Sequence, residues 1–121
     1  MQYMLLIYDD EQKWAQMDEG QRGQIFQAYG AYTEDMRGKG VFVAGDALQP
    51  TSTATTVRDR SGERLVTDGP FAETKEQLGG YYVIEVESLD EALDWAARIP
   101  SAKLGSIEVR PVLQVPVGAA G

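Results

Sequence analysis

The chain has 121 residues, with 19 acidic against 11 basic side chains and a formal net charge of −8. This charge opposes a phosphate backbone and argues against nucleic-acid binding through a basic patch. Because the sequence contains neither cysteine nor histidine, it excludes a disulfide framework, thiolate chemistry, and imidazole as a general base or metal ligand.

The length and an apolar content of 43% predict a single domain of the ordinary soluble class. No apolar run approaches the roughly 20 residues that are needed to span a bilayer. The N-terminus has neither the basic region nor the cleavage site of a signal peptide, so we expect a cytoplasmic protein that does not associate with membranes. Only carboxylates remain as metal ligands, and we expect no metal and no other cofactor.

The first part of the chain predicts a strand, a helix and a second strand. Tyr3–Tyr8 is a short, nearly all-apolar run that predicts a central strand buried on both faces. Asp18, with Gln21 three residues later, forms a capping-box pattern and predicts the start of a helix. Val41–Ala44 predicts the next strand. Trp14 stands alone in a polar segment, and we expect it to pack onto the domain or its partner.

The rest of the chain predicts a hairpin followed by a second strand–helix–strand unit. The predicted elements are paired strands at Thr53–Arg58 and Arg64–Thr67, a strand at Leu78–Val86, a helix beginning at Ser88 and a strand at Ser106–Val112. This order is typical of an α+β, ferredoxin-like βαββαβ fold with an inserted hairpin. We expect one domain over residues 1–112 and a flexible tail over residues 113–121.

The segment Asp68–Tyr82 combines turn residues with charged side chains. Gly69-Pro70 predicts a turn, and Phe71 is expected to anchor the loop that follows. The pair Gly79-Gly80, at the entrance of the next strand, predicts a bulge or the close approach of another backbone or a ligand.

Asp68-Gly69-Pro70-Phe71, followed by Ala72–Glu76 and Leu78–Tyr81, resembles the signature of the YCII-related proteins of the DGPF type. The resemblance extends from Met1 to Val112. It implies a ferredoxin-like fold paired into a dimeric α+β barrel, and therefore a homodimer. A His–Asp pair is the proposed catalytic centre in the wider superfamily. Because this sequence has no histidine, acid–base chemistry would need carboxylates or tyrosines instead.

The loop after the hairpin is the first candidate site. Asp68, Glu73 and Lys75 would line a cleft near the partner subunit, together with Phe71. Lys75 would hold a small anionic metabolite, and Asp68 or Glu73, with its pKa raised by burial, would move a proton. Alternatively, Asp68 closes a turn with its own backbone, and Glu73 and Lys75 form a solvated ion pair.

Two aspartates at the end of the first strand form a second candidate. Asp9 and Asp10 either reach a cleft, where Asp10 would be a catalytic carboxylate, or begin a loop or helix. Asp10 and Asp46 could also pair around a divalent ion, although their spacing is not specific for a metal.

Tyrosines and one arginine complete the candidates. Four tyrosines could donate hydroxyl groups to a ligand or belong to the core: Tyr29, Tyr32, Tyr81 and Tyr82. Tyr82 is included in the predicted ligand-binding set. Arg110, on the last predicted strand, either binds a ligand carboxylate or pairs with Glu108 or Glu85 across the sheet.

Three functions are open at this point. The first is a small-molecule-binding protein with its site at the Asp68–Lys75 loop, near the dimer cleft. The second, by analogy of fold, is a cofactor-free isomerase, lyase or dehalogenase-like enzyme acting on a small anionic or lactone-like substrate. The third follows from the resemblance, since DGPF-type domains are associated with extracytoplasmic-function sigma factors, and it is a regulatory protein-interaction module.

Overall fold

A computed structural model describes residues 1–115 as one four-stranded sheet with helices on one face and a separate two-stranded ribbon. The elements are β1 (Gln2–Asp9), α1 (Glu11–Gln16), α2 (Glu19–Gly38), β2 (Phe42–Ala47), β3 (Thr55–Arg60), β4 (Glu63–Asp68), β5 (Gln77–Glu85), α3 (Leu89–Ala97) and β6 (Ser106–Pro111). Short 3-10 turns occupy Thr51–Thr53 and Pro100–Lys103. The tail predicted over residues 113–121 lies mostly outside the described residues.

The sheet has the strand order β2-β5-β1-β6, and every neighbouring pair is antiparallel. With the β3–β4 ribbon set aside, this is the ferredoxin-like βαββαβ arrangement, and the predicted fold class is confirmed. The β1–β5 register shifts between Ile7, which pairs with Gly80, and Tyr8, which pairs with Leu78. Gly79 is therefore the extra residue of a bulge, as the glycine pair predicted.

Only one face of the central strand is buried, so the prediction that β1 is buried on both faces is wrong. Tyr3, Leu5 and Ile7 lie in the core, whereas Met4 and Leu6 are half-buried on the opposite face. The physical reason is that α2 and α3 both pack on the same side of the sheet, and successive side chains of a strand point to opposite faces.

The core lies between this sheet face and the two longer helices. Leu5, Met36, Ile84 and Ile99 are its largest fully buried side chains, and burial of such a side chain contributes about 1.5–3 kcal/mol. Tyr32 packs edge-on against two other core rings, and its hydroxyl donates to the Trp95 carbonyl oxygen at 2.7 Å.

Local capping patterns account for the helix starts. Asp18 and Gln21 make the reciprocal hydrogen bonds of a capping box, and the Ser88 side chain accepts from the Glu91 amide. The sequence analysis did not predict α1, a six-residue helix for which Asp10 is the N-cap. Trp14 on this helix packs edge-on against Phe26, with 5.5 Å between ring centroids, which confirms that it packs onto the domain.

The ribbon formed by β3 and β4 stands apart from the sheet. Its tight turn has positive φ angles at Ser61 and Gly62, which suit the twist of a two-residue hairpin. Val57, Leu65 and Val66 on the ribbon are exposed. A two-stranded hairpin is only marginally stable by itself in water, so the exposed apolar side chains leave the ribbon without the support that a core supplies.

Candidate functional site

A cavity of about 690 Å³ lies on the helix side of the sheet, between α2, α1 and the segment that follows β2. Its size falls in the range of small-molecule sites, which are concave, mostly apolar and marked by a few convergent polar groups. The apolar walls include Ile7, Trp14, Ile25, Phe26, Phe42 and Leu104.

Three polar side chains from separate elements meet at one part of the cavity. Asp9 ends β1, Tyr29 lies on α2, and Ser101 belongs to the 3-10 turn after α3. The Tyr29 hydroxyl donates to Ser101 Oγ at 2.7 Å, so the Ser101 proton is free to bond the Asp9 carboxylate. Ser101 is only 6% exposed, which makes this a buried polar end of a mostly apolar cavity.

Burial raises the pKa of Asp9 above its ordinary value of 3.8, and the nearby negative charge of Glu76 adds to the effect, whereas hydrogen bonding with Ser101 opposes it. Burial likewise raises the pKa of Tyr29. A carboxyl group whose environment favours its neutral form is a candidate for accepting or donating a proton. Asp9 is a carboxyl group of this cavity with such an environment.

Gly105 fixes the position of the Asp9 carboxylate. A Cβ at this glycine would lie 2.4 Å from Asp9 Oδ1 and 2.0 Å from the Tyr8 carbonyl oxygen. No other residue can bring its backbone so close, because real Cβ atoms do not make such contacts. The Gly105 amide also donates to the Ser101 carbonyl oxygen at 2.8 Å, so the same glycine lies against both Asp9 and Ser101.

A second polar pair lies on the cavity wall. Thr33 Oγ1 and the Tyr82 hydroxyl share a hydrogen bond of 2.8 Å, and burial raises the pKa of Tyr82. The Arg37 guanidinium lies 4.5 Å from the centroid of the Phe42 ring. Both of these residues line the cavity, and the cation–π contact places a positive charge beside an aromatic wall.

Six of the candidate residues named from the sequence line the cavity: Asp9, Asp10, Tyr29, Asp46, Tyr81 and Tyr82. The Asp10 carboxylate accepts from the Gln12 amide and caps α1, as the helix-cap alternative predicted. Asp46 accepts from the Tyr81 hydroxyl at 2.7 Å. In residues 1–115, no group of three or more carboxylates has the arrangement of a metal site.

The predicted loop residues do not line this cavity. Asp68, Glu73 and Lys75 are exposed, and the site predicted at this loop stays a prediction. The expectation that Phe71 anchors the loop is wrong for a single copy of the chain, because its side chain is 79% exposed.

Arg110 lies on the sheet face opposite the helices, where its guanidinium pairs with the Glu108 carboxylate. Glu108 also accepts from the Tyr8 hydroxyl at 3.3 Å. The ion pair with Glu108 is therefore the alternative that the structure shows for Arg110, although both residues lie on β6 and the pair does not cross the sheet. Its role in ligand binding stays a prediction.

The sequence of the chain matches the family described as YCII-related domain over residues 1–116. The chain belongs to the YCII-related family. A relative from Rhizobium meliloti (strain 1021), an uncharacterised protein, is 40% identical over 114 residues, which cover 93% of this chain and 92% of that protein.

A solved structure similar to this YCII-related chain is that of 5-chloro-2-hydroxyhydroquinone dehydrochlorinase (TftG) from Burkholderia phenoliruptrix AC1100, in complex with 2,5-dihydroxybenzoquinone. The TM-score is 0.56 with 19% sequence identity, and the match covers 95% of this chain and 96% of that one. At this identity the similarity establishes a shared fold. Within residues 1–115, no helix is long and apolar enough to cross a membrane.

Sequence reasoning missed three contributors to the cavity of this YCII-related chain. Ser101 was not considered, although it follows Pro100 at the end of a predicted helix. Thr33 is one of many polar residues of α2, and nothing in the sequence distinguishes it from the others. Gly105 precedes the last predicted strand, and a glycine there signals a close backbone approach. That signal could have been used, but it does not identify the carboxylate that approaches.

Proposed function

We propose that this chain is a cytoplasmic small-molecule-binding protein whose ligand occupies the cavity between α2 and the sheet. The observation that carries the proposal is the apolar cavity of about 690 Å³ with the Asp9, Ser101 and Tyr29 side chains at one part of it. Apolar walls supply most of the binding free energy, and a few polar groups fix the orientation of a ligand.

The walls and the polar end together favour a compact ring compound that bears oxygen substituents. Tyr29, Phe42 and Tyr82 offer aromatic surface, and Asp9 offers a carboxyl group that can donate or accept according to its protonation. An anionic substituent would find a partner in Arg37, which lines the cavity beside Phe42. The oxygenated ring bound by the similar dehydrochlorinase structure supports the choice of such compounds for testing.

The Asp68–Lys75 loop, the site predicted from the sequence, does not line the cavity but is connected to it through Glu76 and Gln77. Gln77 Nε2 donates to the Thr74 carbonyl oxygen at 2.6 Å, and Gln77 itself lines the cavity. Glu76 accepts from the Ser106 hydroxyl at 2.8 Å and lies close enough to Asp9 to raise its pKa. A ligand in the cavity and the loop are therefore separated by one short segment.

The test is a thermal-shift screen of small oxygenated ring compounds on the wild type, Asp9→Asn, Asp68→Ala and Asp94→Asn. A ligand at 100 times its dissociation constant stabilises the native state by about 2.7 kcal/mol. We expect a shift in the wild type that is lost in Asp9→Asn and kept in Asp94→Asn, which changes an exposed aspartate on α3. If the thermal shift is lost in Asp68→Ala alone, the site lies at the loop. If no compound shifts the melting temperature of the wild type, small-molecule binding is contradicted.

A second candidate function is a cofactor-free enzyme in which Asp9 transfers a proton to or from the bound ring. The raised pKa of this carboxyl group inside a cavity favours it. Isomerisation or elimination of a leaving group from an oxygenated ring would need only such a proton transfer. Turnover that disappears in Asp9→Asn and survives in Glu73→Gln would support it, whereas turnover that survives in Asp9→Asn would exclude Asp9 as the base.

We also propose that two copies pair through the sheet face opposite the helices. Met4 and Leu6 on β1 pair with Val83 and Tyr81 on β5, and no described helix covers this apolar row. Sedimentation analysis should show a dimer for the wild type and a monomer for Leu6→Glu. Leu93→Glu, at an exposed position of α3 on the other side of the molecule, should remain dimeric. A monomeric wild type would refute the pairing.

A further inference from the structure

The cavity is covered on one side by α1, which is held in place by polar contacts instead of by burial. None of its six residues is buried, yet Glu11, Gln12, Lys13, Trp14 and Ala15 all line the cavity. A helix this short is not stable by itself, so its position depends on the contacts that attach it to neighbouring elements. An element of this kind belongs to the least stable part of a structure, from which mobile lids are drawn.

Glu11 makes the most extensive of these attachments. Its two carboxylate oxygens accept from the Thr51 amide at 2.8 Å and from the Thr51 hydroxyl at 2.7 Å. Its own amide donates to Gln77 Oε1 at 3.0 Å. Thr51 precedes the ribbon and Gln77 follows it along the chain, so one residue of α1 binds both ends of the inserted segment. Hydrogen bonds to a charged carboxylate are stronger than those between neutral groups.

The other attachments lie at the far end of α1. Arg22 on α2 donates to the carbonyl oxygens of Trp14 and Ala15, at 3.3 and 3.0 Å. The Trp14 ring packs edge-on against Phe26, which is itself 62% exposed. These contacts join α1 to α2, whereas the Glu11 contacts join α1 to Thr51 and Gln77, so α1 is attached to two separate parts of the chain.

We propose that α1 is a movable lid of the cavity and that the Glu11 carboxylate, bound to Thr51, is its latch. Release of the latch removes one of the two sets of contacts that hold α1 against the cavity. The helix, with Trp14 on it, then moves outward between its chain connections to β1 and α2, and a ligand can enter. Because Thr51 and Gln77 border the inserted ribbon, a displacement of the ribbon reaches the lid through Glu11. The inference deepens the proposed function, since it assigns regulated access to the same cavity.

The test uses Trp14 as a reporter of the lid and needs no ligand. The chain has two tryptophans, and Trp95→Phe leaves Trp14 alone. In this background, Glu11→Ala removes both acceptors of the latch and Thr51→Val removes the hydroxyl donor only. Glu19→Ala is the matched control, because Glu19 follows an aspartate N-cap at the start of α2 just as Glu11 does at the start of α1.

We expect acrylamide to quench Trp14 more strongly in Glu11→Ala than in Glu19→Ala, with a smaller increase in Thr51→Val. Backbone amides of residues 12–17 should exchange about tenfold faster in Glu11→Ala, the factor that corresponds to about 1.4 kcal/mol, whereas the amides of β1 and β5 keep their rates. The Trp95→Phe background must itself retain the circular dichroism spectrum of the wild type.

Unchanged quenching and exchange in Glu11→Ala would overturn the latch. Faster exchange throughout β1 and β5 would also overturn it, because Glu11 would then support the whole fold and not a lid. If Glu11→Ala does not fold, Thr51→Val decides, and unchanged quenching in that variant refutes the proposal. These outcomes are independent of the ligand screen. The lid proposal can therefore be refuted while the cavity binds a ligand, and it can be supported while no ligand is found.

Discussion

The close approach of Gly105 to Asp9 predicts that adding one methyl group there disrupts both the fold and the cavity. In Gly105→Ala, the new Cβ would lie 2.0 Å from the Tyr8 carbonyl oxygen, whereas heavy atoms in contact are about 3.5 Å apart. Strands β1 and β6 must therefore separate at this end of their ladder, where Tyr8 pairs with Ser106, by roughly the difference between these two distances. Overpacking costs about 1–3 kcal/mol, and we expect the upper part of this range because a backbone oxygen cannot rotate away.

The matched control is the same change at Gly30, on the exposed side of α2, where an added Cβ meets no atom within 4 Å. Glycine destabilises a helix interior by about 1 kcal/mol relative to alanine, so Gly30→Ala should raise the free energy of unfolding while Gly105→Ala lowers it. Urea denaturation measures both, and melting temperatures should move in opposite directions. A Gly105→Ala protein as stable as the wild type would refute the close approach and the placement of Asp9 that depends on it.

Three further predictions concern single side chains. Because burial raises the pKa of Asp9 above 3.8, the folded state binds this proton more tightly than the unfolded state. The stability that it contributes is present below about pH 4 and is lost as pH rises through the folded pKa. Asp9→Asn should remove this part of the pH dependence of the melting temperature and stabilise the protein at pH 7. Tyr32→Phe breaks the 2.7 Å bond to the Trp95 carbonyl oxygen and should lower the free energy of unfolding in urea by about 1 kcal/mol. Asp68 makes no side-chain hydrogen bond or ion pair with the described residues, so Asp68→Ala should change that free energy by less than about 0.5 kcal/mol; a larger loss would restore the turn-closing role.

Those features of the fold that are encoded by neighbouring residues could be predicted from the sequence. The Asp18 capping box, the Ser88 cap and the tight turn at Ser61-Gly62 each depend on residues at most three positions apart, and the structure contains all of them. The Gly79 bulge was predicted for the same reason. A glycine pair at the start of an apolar strand leaves the backbone free to bend and open to a close neighbour, whatever the partner strand contributes.

The cavity could not be predicted in this way, because its polar end is assembled by the packing of distant segments. Tyr29 and Ser101 are 72 positions apart, and neither belongs to a motif with Asp9. The alternation of β1 was obscured as well, since both of its faces carry apolar residues while only one is covered by helices. The prediction for Phe71 failed for a different reason, because an aromatic residue beside a turn is usually buried and this one is exposed.

Adjacent residues of β5 separate the two surfaces on which the proposals rest. Tyr82 points toward the helices, bonds Thr33 and lines the cavity floor, whereas the Tyr81 hydroxyl bonds Asp46 at a partly exposed position in the middle of the sheet. Because successive side chains of a strand point to opposite faces, a change at Tyr82 leaves the outer sheet face intact. Leu6 on the outer face does not line the cavity, whereas Tyr81 does, so Leu6→Glu is the change that disrupts pairing alone. Ligand binding and pairing of copies can therefore be disrupted one at a time. The latch can be tested separately as well, because the hydrogen bonds of Glu11 involve neither tyrosine. Variants at Tyr82, Leu6 and Glu11 therefore test the cavity, the pairing of copies and the lid one at a time.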